Sequence, residues 1–137
     1  MVLFNRAKKM QNQKGFTIIE LIVVIAIIAV LAGIVLVNVT SYINKGKDAA
    51  AQGNLATLLT NGAVYFDNFS NYTLFQGNAL FSTVNVALNT AGYTVTYSNN
   101  AEAWCASIPL KINANNFCVD STGKKTMGAA CASRACP

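Results

Sequence analysis

The chain has 137 residues and is 53% hydrophobic but only 11% charged, too apolar for a disordered protein and too poor in charge for an ordinary soluble domain. It contains no histidine, which excludes histidine-based acid–base catalysis, histidine-paired nucleophiles and histidine metal sites. The net charge of +5 is local: Arg6, Lys8, Lys9 and Lys14 precede Phe16 with no acid among them, whereas the rest carries six basic and five acidic residues, so nothing there indicates nucleic-acid binding.

The basic tail leads into an apolar run. Across the 22 residues from Phe16 to Val37 only Thr17 and Glu20 are strongly polar, and a bilayer core is spanned by about 20 helical residues. A cleaved secretory signal has a shorter apolar region, roughly 7–15 residues, that ends in a small-residue cleavage site. This run is too long and lacks that site. As a single span with its basic flank in the cytoplasm, it exports everything after about Val39.

A plain anchor does not explain Glu20. A charge in a membrane helix costs a few kcal/mol and usually has a function. Glu20 lies about 6 Å along a helix from Phe16, near the cytoplasmic interface, where the cost is smaller. If the peptide bond after Gly15 is cut, Phe16 acquires a positively charged α-amine, one helical turn from the carboxylate. Within one chain the two groups can pair. Between chains the same pair sets register, a better attested use of buried ion pairs than net stabilisation.

The stretch KGFTIIELIVVIAIIAVLAG, beginning at Lys14, closely resembles the N-terminal signature of the type IV pilin and type II secretion pseudopilin superfamily. Lys14, Gly15, Phe16, Thr17, Ile18, Ile19, Glu20, Leu21 and the aliphatic run carry the resemblance, which says little about the remainder. It implies a leader of residues 1–15, removed by a membrane-embedded prepilin peptidase that cuts after Gly15. Phe16 is then the N-methylated first residue, and Glu20 the glutamate that directs assembly. It further implies that subunits leave the inner membrane and pack their apolar helices into a filament core. One departure stands out: where many members have a helix-bending proline, this chain has Val37, with Gly33 nearby as a weaker point.

The helical pattern continues past the membrane. Leu55, Leu59, Phe66 and Phe69, with Leu58 and Tyr65 alongside, form an amphipathic stripe, and Lys45, Lys47, Asp48, Gln52, Asn54 and Asn61 lie on the polar side. The reading is one helix from about Phe16 to Phe66, about 75 Å long at 1.5 Å per residue. Gly46, Gly53 and Gly62 weaken it or allow close approach of a neighbour. The segment DNFSNYTLFQGN reads as a loop; its sequons at Asn68 and Asn71, like that at Asn38, are assigned no function. A short helix is expected around Ala79–Asn89.

GYTVTYSNNAEAWCASI reads as strand, turn, strand, with Tyr93, Val95 and Tyr97 on one face and Trp104, Ala106 and Ile108 on the apolar face of the second strand. NNFCVDSTG gives a third strand ending in a turn at residues 120–123. The expected class is α+β: a long N-terminal helix whose C-terminal half packs on a small antiparallel sheet, as in the pilin fold. The organisation is a leader (1–15), a transmembrane and filament-core helix (16–38), and the amphipathic half of the helix with a globular head (39–137).

All four cysteines, Cys105, Cys118, Cys131 and Cys136, lie in the exported head and read as two disulfides. Cys105 and Cys118 fall on neighbouring strands, which favours the pairs Cys105–Cys118 and Cys131–Cys136. Cysteine pairs near the C-terminus are also common in pilins. A four-cysteine zinc site is disfavoured, because only Cys131 and Cys136 have knuckle-like spacing. Asp120, Ser121 and Thr122 present oxygens that resemble a calcium loop of some pseudopilins, but one carboxylate is a weak site and a turn is the better reading. No catalytic residue, metal site or cofactor is assigned.

The leading reading is a non-enzymatic structural subunit of a type IV pilus. Its partners are other copies of itself, the prepilin peptidase, the assembly machinery, and the inner membrane before assembly. The mature subunit then sits in an extracellular or periplasmic filament. A pseudopilin of a secretion or competence system shares the same N-terminal signature. A membrane-anchored extracytoplasmic binding module would need no cleavage and would leave Glu20 without a role.

Overall fold

The first helix starts where its sequence supplies a cap. Thr17 precedes Ile18, and Glu20 follows three residues later, the spacing of a capping box. From there α1 runs over Ile18–Phe69 as a single helix, Val37 included. The computed structural model describes residues 15–137, so the basic tail and most of the expected leader lie outside the described residues. The chain divides into two compact units, Met1–Asn38 and Val39–Pro137.

In the described part of the first unit, every residue from Gly15 to Asn38 is exposed. Ile18, Leu21, Ile25, Ile28, Val30, Leu31 and Val35 all present their side chains outward. The helix satisfies its own backbone groups, which is what an apolar medium demands.

In the second unit α1 has a buried face. Asp48, Ala51, Leu55, Leu58, Gly62 and Tyr65 are buried, at alternating spacings of three and four. This corrects the expected stripe: Leu59 is only partly buried, Phe66 and Phe69 are exposed, and Asp48 belongs to the buried side. The helix ends at Ser70, whose N–H donates to Phe66 O at 2.7 Å and whose left-handed φ of 54° turns the chain out of the helix.

A 3-10 turn at Phe75–Gly77 leads to α2 (Ala79–Thr90), close to the expected short helix. Asn78 caps α2 by accepting from Leu80 N at 2.9 Å. Gly92, at φ 80°, closes it: Gly92 N–H donates to Asn89 O, and Tyr93 N–H donates to Leu88 O. That is a Schellman ending, which needs a residue tolerant of positive φ.

Four strands follow: β1 (Thr96–Asn99), β2 (Trp104–Pro109), β3 (Asn116–Asp120) and β4 (Lys125–Gly128), all antiparallel in the order β1-β2-β3-β4. The sequence reading expected three. KTMG has neither the alternation nor the β-branched content that announces a strand, and β4 forms as an edge strand paired with β3. Strand β1 starts at Thr96, so Tyr93 precedes the sheet.

The two sheet faces have different covers. Trp104, Ala106, Ile108, Phe117 and Val119 join Leu55, Leu58, Tyr65, Phe75 and Phe81 in one apolar core. Trp104 lies at its centre, in ring contact with Tyr72, Phe75 and Tyr97. Cys105, Ser107, Cys118 and Asp120 alternate with these residues along β2 and β3 and face the other way. They too are buried, under the C-terminal segment. The class is α+β, as expected: a long helix with a small antiparallel sheet.

Candidate assembly site

The first turn of α1 explains part of what Glu20 does. Glu20 Oε2 accepts from Thr17 N at 2.8 Å and from Thr17 Oγ1 at 2.9 Å, while Glu20 N donates to Thr17 Oγ1 at 3.2 Å. Two donors at the helix start that would otherwise lack partners are thus satisfied reciprocally. The negative charge also lies at the positive end of the helix macrodipole. Sequence reasoning named Thr17 within the signature but gave it no capping role, although T-I-I-E is a legible capping box. Gly15, Phe16 and Glu20 are exposed and close together in sequence. The Gly15–Phe16 peptide bond and the carboxylate are therefore both accessible.

The disulfides are Cys105–Cys131 and Cys118–Cys136, each with a Cα–Cα separation of 5.7 Å. The expected pairs Cys105–Cys118 and Cys131–Cys136 do not form, and the register explains why. Cys105 lies opposite Asp120, and Cys118 opposite Ser107. The two cysteines are diagonal neighbours, typically about 7–8 Å apart, beyond ordinary disulfide reach. Cys131 and Cys136 flank a tight turn closed by the Ala132–Ala135 bridge, with Ser133 and Arg134 both at positive φ. Each joins the strand beneath it. The segment is pinned twice more, by Cys131 N donating to Ser107 Oγ at 2.9 Å and Cys136 N donating to Asp120 Oδ2 at 3.1 Å.

Asp120 organises the turn after β3. Its Oδ1 accepts from Thr122 N, Thr122 Oγ1 and Lys124 N. Burial alone would raise its pKa; the bonds from Thr122, Cys136 and Lys124 outweigh that and hold the carboxyl below its ordinary value. Both carboxylate oxygens are thus engaged by the chain's own donors, the arrangement of an Asx turn. Among the described residues no group of three or more Cys, Asp or Glu side chains is placed to hold a metal ion.

Asp48 performs a similar task between α1 and the loop after β2. Oδ1 accepts from Tyr93 OH at 2.7 Å, both oxygens accept from Lys111 N, and Oδ2 accepts from Ile112 N at 3.0 Å. Desolvation opposes ionisation here too, yet the bonds from Lys111, Tyr93 and Ile112 keep the pKa lowered. Burial and the neighbouring Asp48 carboxylate push the Tyr93 hydroxyl up to about 12. Lys111 lies over the Tyr93 ring at 4.4 Å and donates to Ala91 O at 3.0 Å. The sequence reading missed this latch, since an isolated aspartate in a polar register carries no mark of burial.

Gly62 is a third contact the sequence did not resolve. A Cβ there would meet Trp104 Cζ2 and Nε1 at 2.8 Å. The glycine makes room for the indole on the helix surface.

The prokaryotic N-terminal methylation motif matches residues 10–36. The type IV wide pilus major component PilA4 of Thermus thermophilus is 30% identical over 114 residues, which cover 74% of this chain and 86% of that protein. The chain belongs to the type IV pilin family. Among the relatives, the type IV major pilin protein PilA of Myxococcus xanthus is 34% identical over 71 residues, 52% of this chain and 32% of that protein. The type IV major alpha-pilin of Moraxella bovis is 51% identical over 47 residues, 34% of this chain and 30% of that protein. The chain thus spans about a third of the length of those two pilins and most of the first. No solved structure matches it. A pilin reading accounts together for the capped apolar helix, the α+β head and the disulfide-held C-terminus.

Proposed function

We propose that the chain is the structural subunit of a type IV pilus filament, made as an inner-membrane precursor with a cytoplasmic leader and cleaved after Gly15 by a prepilin peptidase. Phe16 becomes the N-methylated first residue of the mature subunit. Its amine, charged with or without the methyl group, pairs with Glu20 of a neighbouring subunit and sets the register of the helices. The observation that carries this reading is the first unit itself. It is an apolar helix exposed along its described length, with one carboxylate held in its first turn. Such a surface needs lipid before assembly and other helices after it. Residues 1–15, 16–38 and 39–137 then correspond to leader, filament-core helix and head-bearing part. The subunit has no catalytic role, and it resides in an extracellular or periplasmic filament.

The capping box supplies a sharp test. Glutamine serves at the third helical position of a capping box as glutamate does, but it carries no charge. Glu20→Gln therefore keeps the cap and removes the pairing, whereas Glu20→Ala removes both. Membrane insertion is expected to survive in each, and filament yield from sheared cells is expected to collapse in each. Normal filaments from Glu20→Gln beside their loss in Glu20→Ala would assign Glu20 to capping alone.

A further inference from the structure

The second unit opens with apolar surface and then cations. Val39, Tyr42 and Ile43, its first large apolar residues, are all exposed. Lys45 and Lys47 follow, exposed as well. At 100° per residue the two lysines stand about 200° apart around the helix, so each side of it carries a cation. The Cα–Cβ bonds of an α-helix tilt towards its N-terminus. Both lysines therefore reach back towards the apolar residues, and Lys45 Nζ lies 5.4 Å from the centroid of the Tyr42 ring.

No exposed acid offsets them. Asp48, the only acid among residues 39–66, is buried, and its oxygens accept from Tyr93, Lys111 and Ile112. Those bonds also fix the loop after β2 at the level of the lysines. Ile112 of that loop and Met127 of β4 line one cavity with Lys45 and Asp48, and both leave apolar surface exposed. This end of the head thus presents apolar side chains and two cations together.

The geometry points to phospholipid headgroups as the partner of this surface, with lipid phosphates on Lys45 and Lys47 and the Tyr42 ring at the interface. It rests on the membrane-precursor reading above. The apolar run that ends at Val37 stops two residues before Val39, so Tyr42, Lys45 and Lys47 follow the point where the helix leaves the hydrocarbon. Tyrosine is enriched at that boundary, and lysine lays its methylene stem on apolar surface while its ammonium reaches the headgroups. The two cations lie on opposite sides of one helix. A single docked protein covers one side, whereas a leaflet surrounds the helix and reaches both. The contact sets the depth of the helix and the height of the head before assembly, and it is released when the subunit leaves the membrane.

The test uses the full chain, labelled with 15N at the lysine side chains, in phosphatidylethanolamine–phosphatidylglycerol bilayers and phosphate-free buffer. Solid-state NMR reads the dipolar contact between each Nζ and lipid phosphorus. Lys45→Arg and Lys47→Arg, which keep the charge and remove one labelled Nζ each, assign the signals. Both lysines are expected to show a phosphorus contact. Lys124, beyond the far end of β3 and held by the carbonyls of Cys136 and Pro137, is expected to show none. The Tyr42 ring is expected to lie near phosphorus as well. It should keep that contact when both lysines are replaced by arginine and lose most of it in Lys45→Glu/Lys47→Glu. Unchanged disulfide maps in the variants establish that the head still folds. A bilayer-inserted chain in which Lys45 and Lys47 show no more phosphorus contact than Lys124 would overturn the headgroup surface and leave the membrane span intact. A chain that alkaline carbonate strips from the bilayer would overturn both.

Discussion

Gly62→Ala tests the packing of the head at its tightest point. Helix propensity alone favours alanine by about 1 kcal/mol. Against that, the new Cβ would sit 2.8 Å from Cζ2 and Nε1 of Trp104 and 2.9 Å from Cε2. The indole is a rigid ring, fully buried, and held by Tyr72, Phe75 and Tyr97. It has little room to retreat. Overpacking in such a site costs about 1–3 kcal/mol, and the enclosure places this case in the upper part of that range. The net expectation is a loss of about 1–2 kcal/mol, which lowers the melting temperature by roughly 4–16 °C for a head of this size. Gly53→Ala is the matched control: nothing lies within 4 Å of its Cβ position. It should gain stability by up to about 1 kcal/mol. Trp104 is the sole tryptophan, so its fluorescence in the detergent-solubilised chain reports both transitions. A Gly62→Ala chain as stable as wild type would refute the close approach of helix and indole.

Asp48 and Asp120 both titrate below the ordinary value of 3.8, so their contribution to stability is present above that value and fades as the pH falls through the lowered folded-state values. The urea midpoint should be nearly flat from about pH 7 to pH 5 and drop below about pH 4. Asp48→Asn should cost about 2–3 kcal/mol at neutral pH and flatten that acid limb; an unchanged limb would remove Asp48 from the explanation. Peptide mapping under non-reducing conditions should recover Cys105–Cys131 and Cys118–Cys136 only. Replacing Cys131 and Cys105 together by serine should cost about 2–4 kcal/mol and make the C-terminal segment accessible to protease, whereas unaltered protease resistance would mean that the segment is held by other contacts.

What the sequence revealed and what it hid divide along physical lines. The long helix was legible because its signal is composition over many residues, and the second helix and three of the strands because their apolar spacing is local. Strand β4 was hidden because its formation depends on the exposed edge of β3 rather than on KTMG itself. The stripe on α1 was misplaced by one column because Phe66 and Phe69 are larger than Ala51 and Gly62, and size was read as burial. Asp48 was placed on the polar side and Gly62 was only one of three glycines offered for close approach, because the first is buried by donors arriving from 45 to 64 residues away and the second by an indole from a strand. The disulfide pairing failed on register, which depends on where β2 and β3 align and not on which strands adjoin. At the N-terminus the signature named Thr17 together with Gly15, Phe16 and Glu20, but the capping role of Thr17 emerged only with its bonds to Glu20.

The central claim is that the chain is cut after Gly15 and exported into a filament. The most direct measurement is the intact mass and N-terminal sequence of protein sheared from the cell surface. The account predicts a chain that begins at N-methyl-Phe16 and is about four mass units light for its two disulfides. A chain that begins at Met1 and is found only in membranes would contradict it.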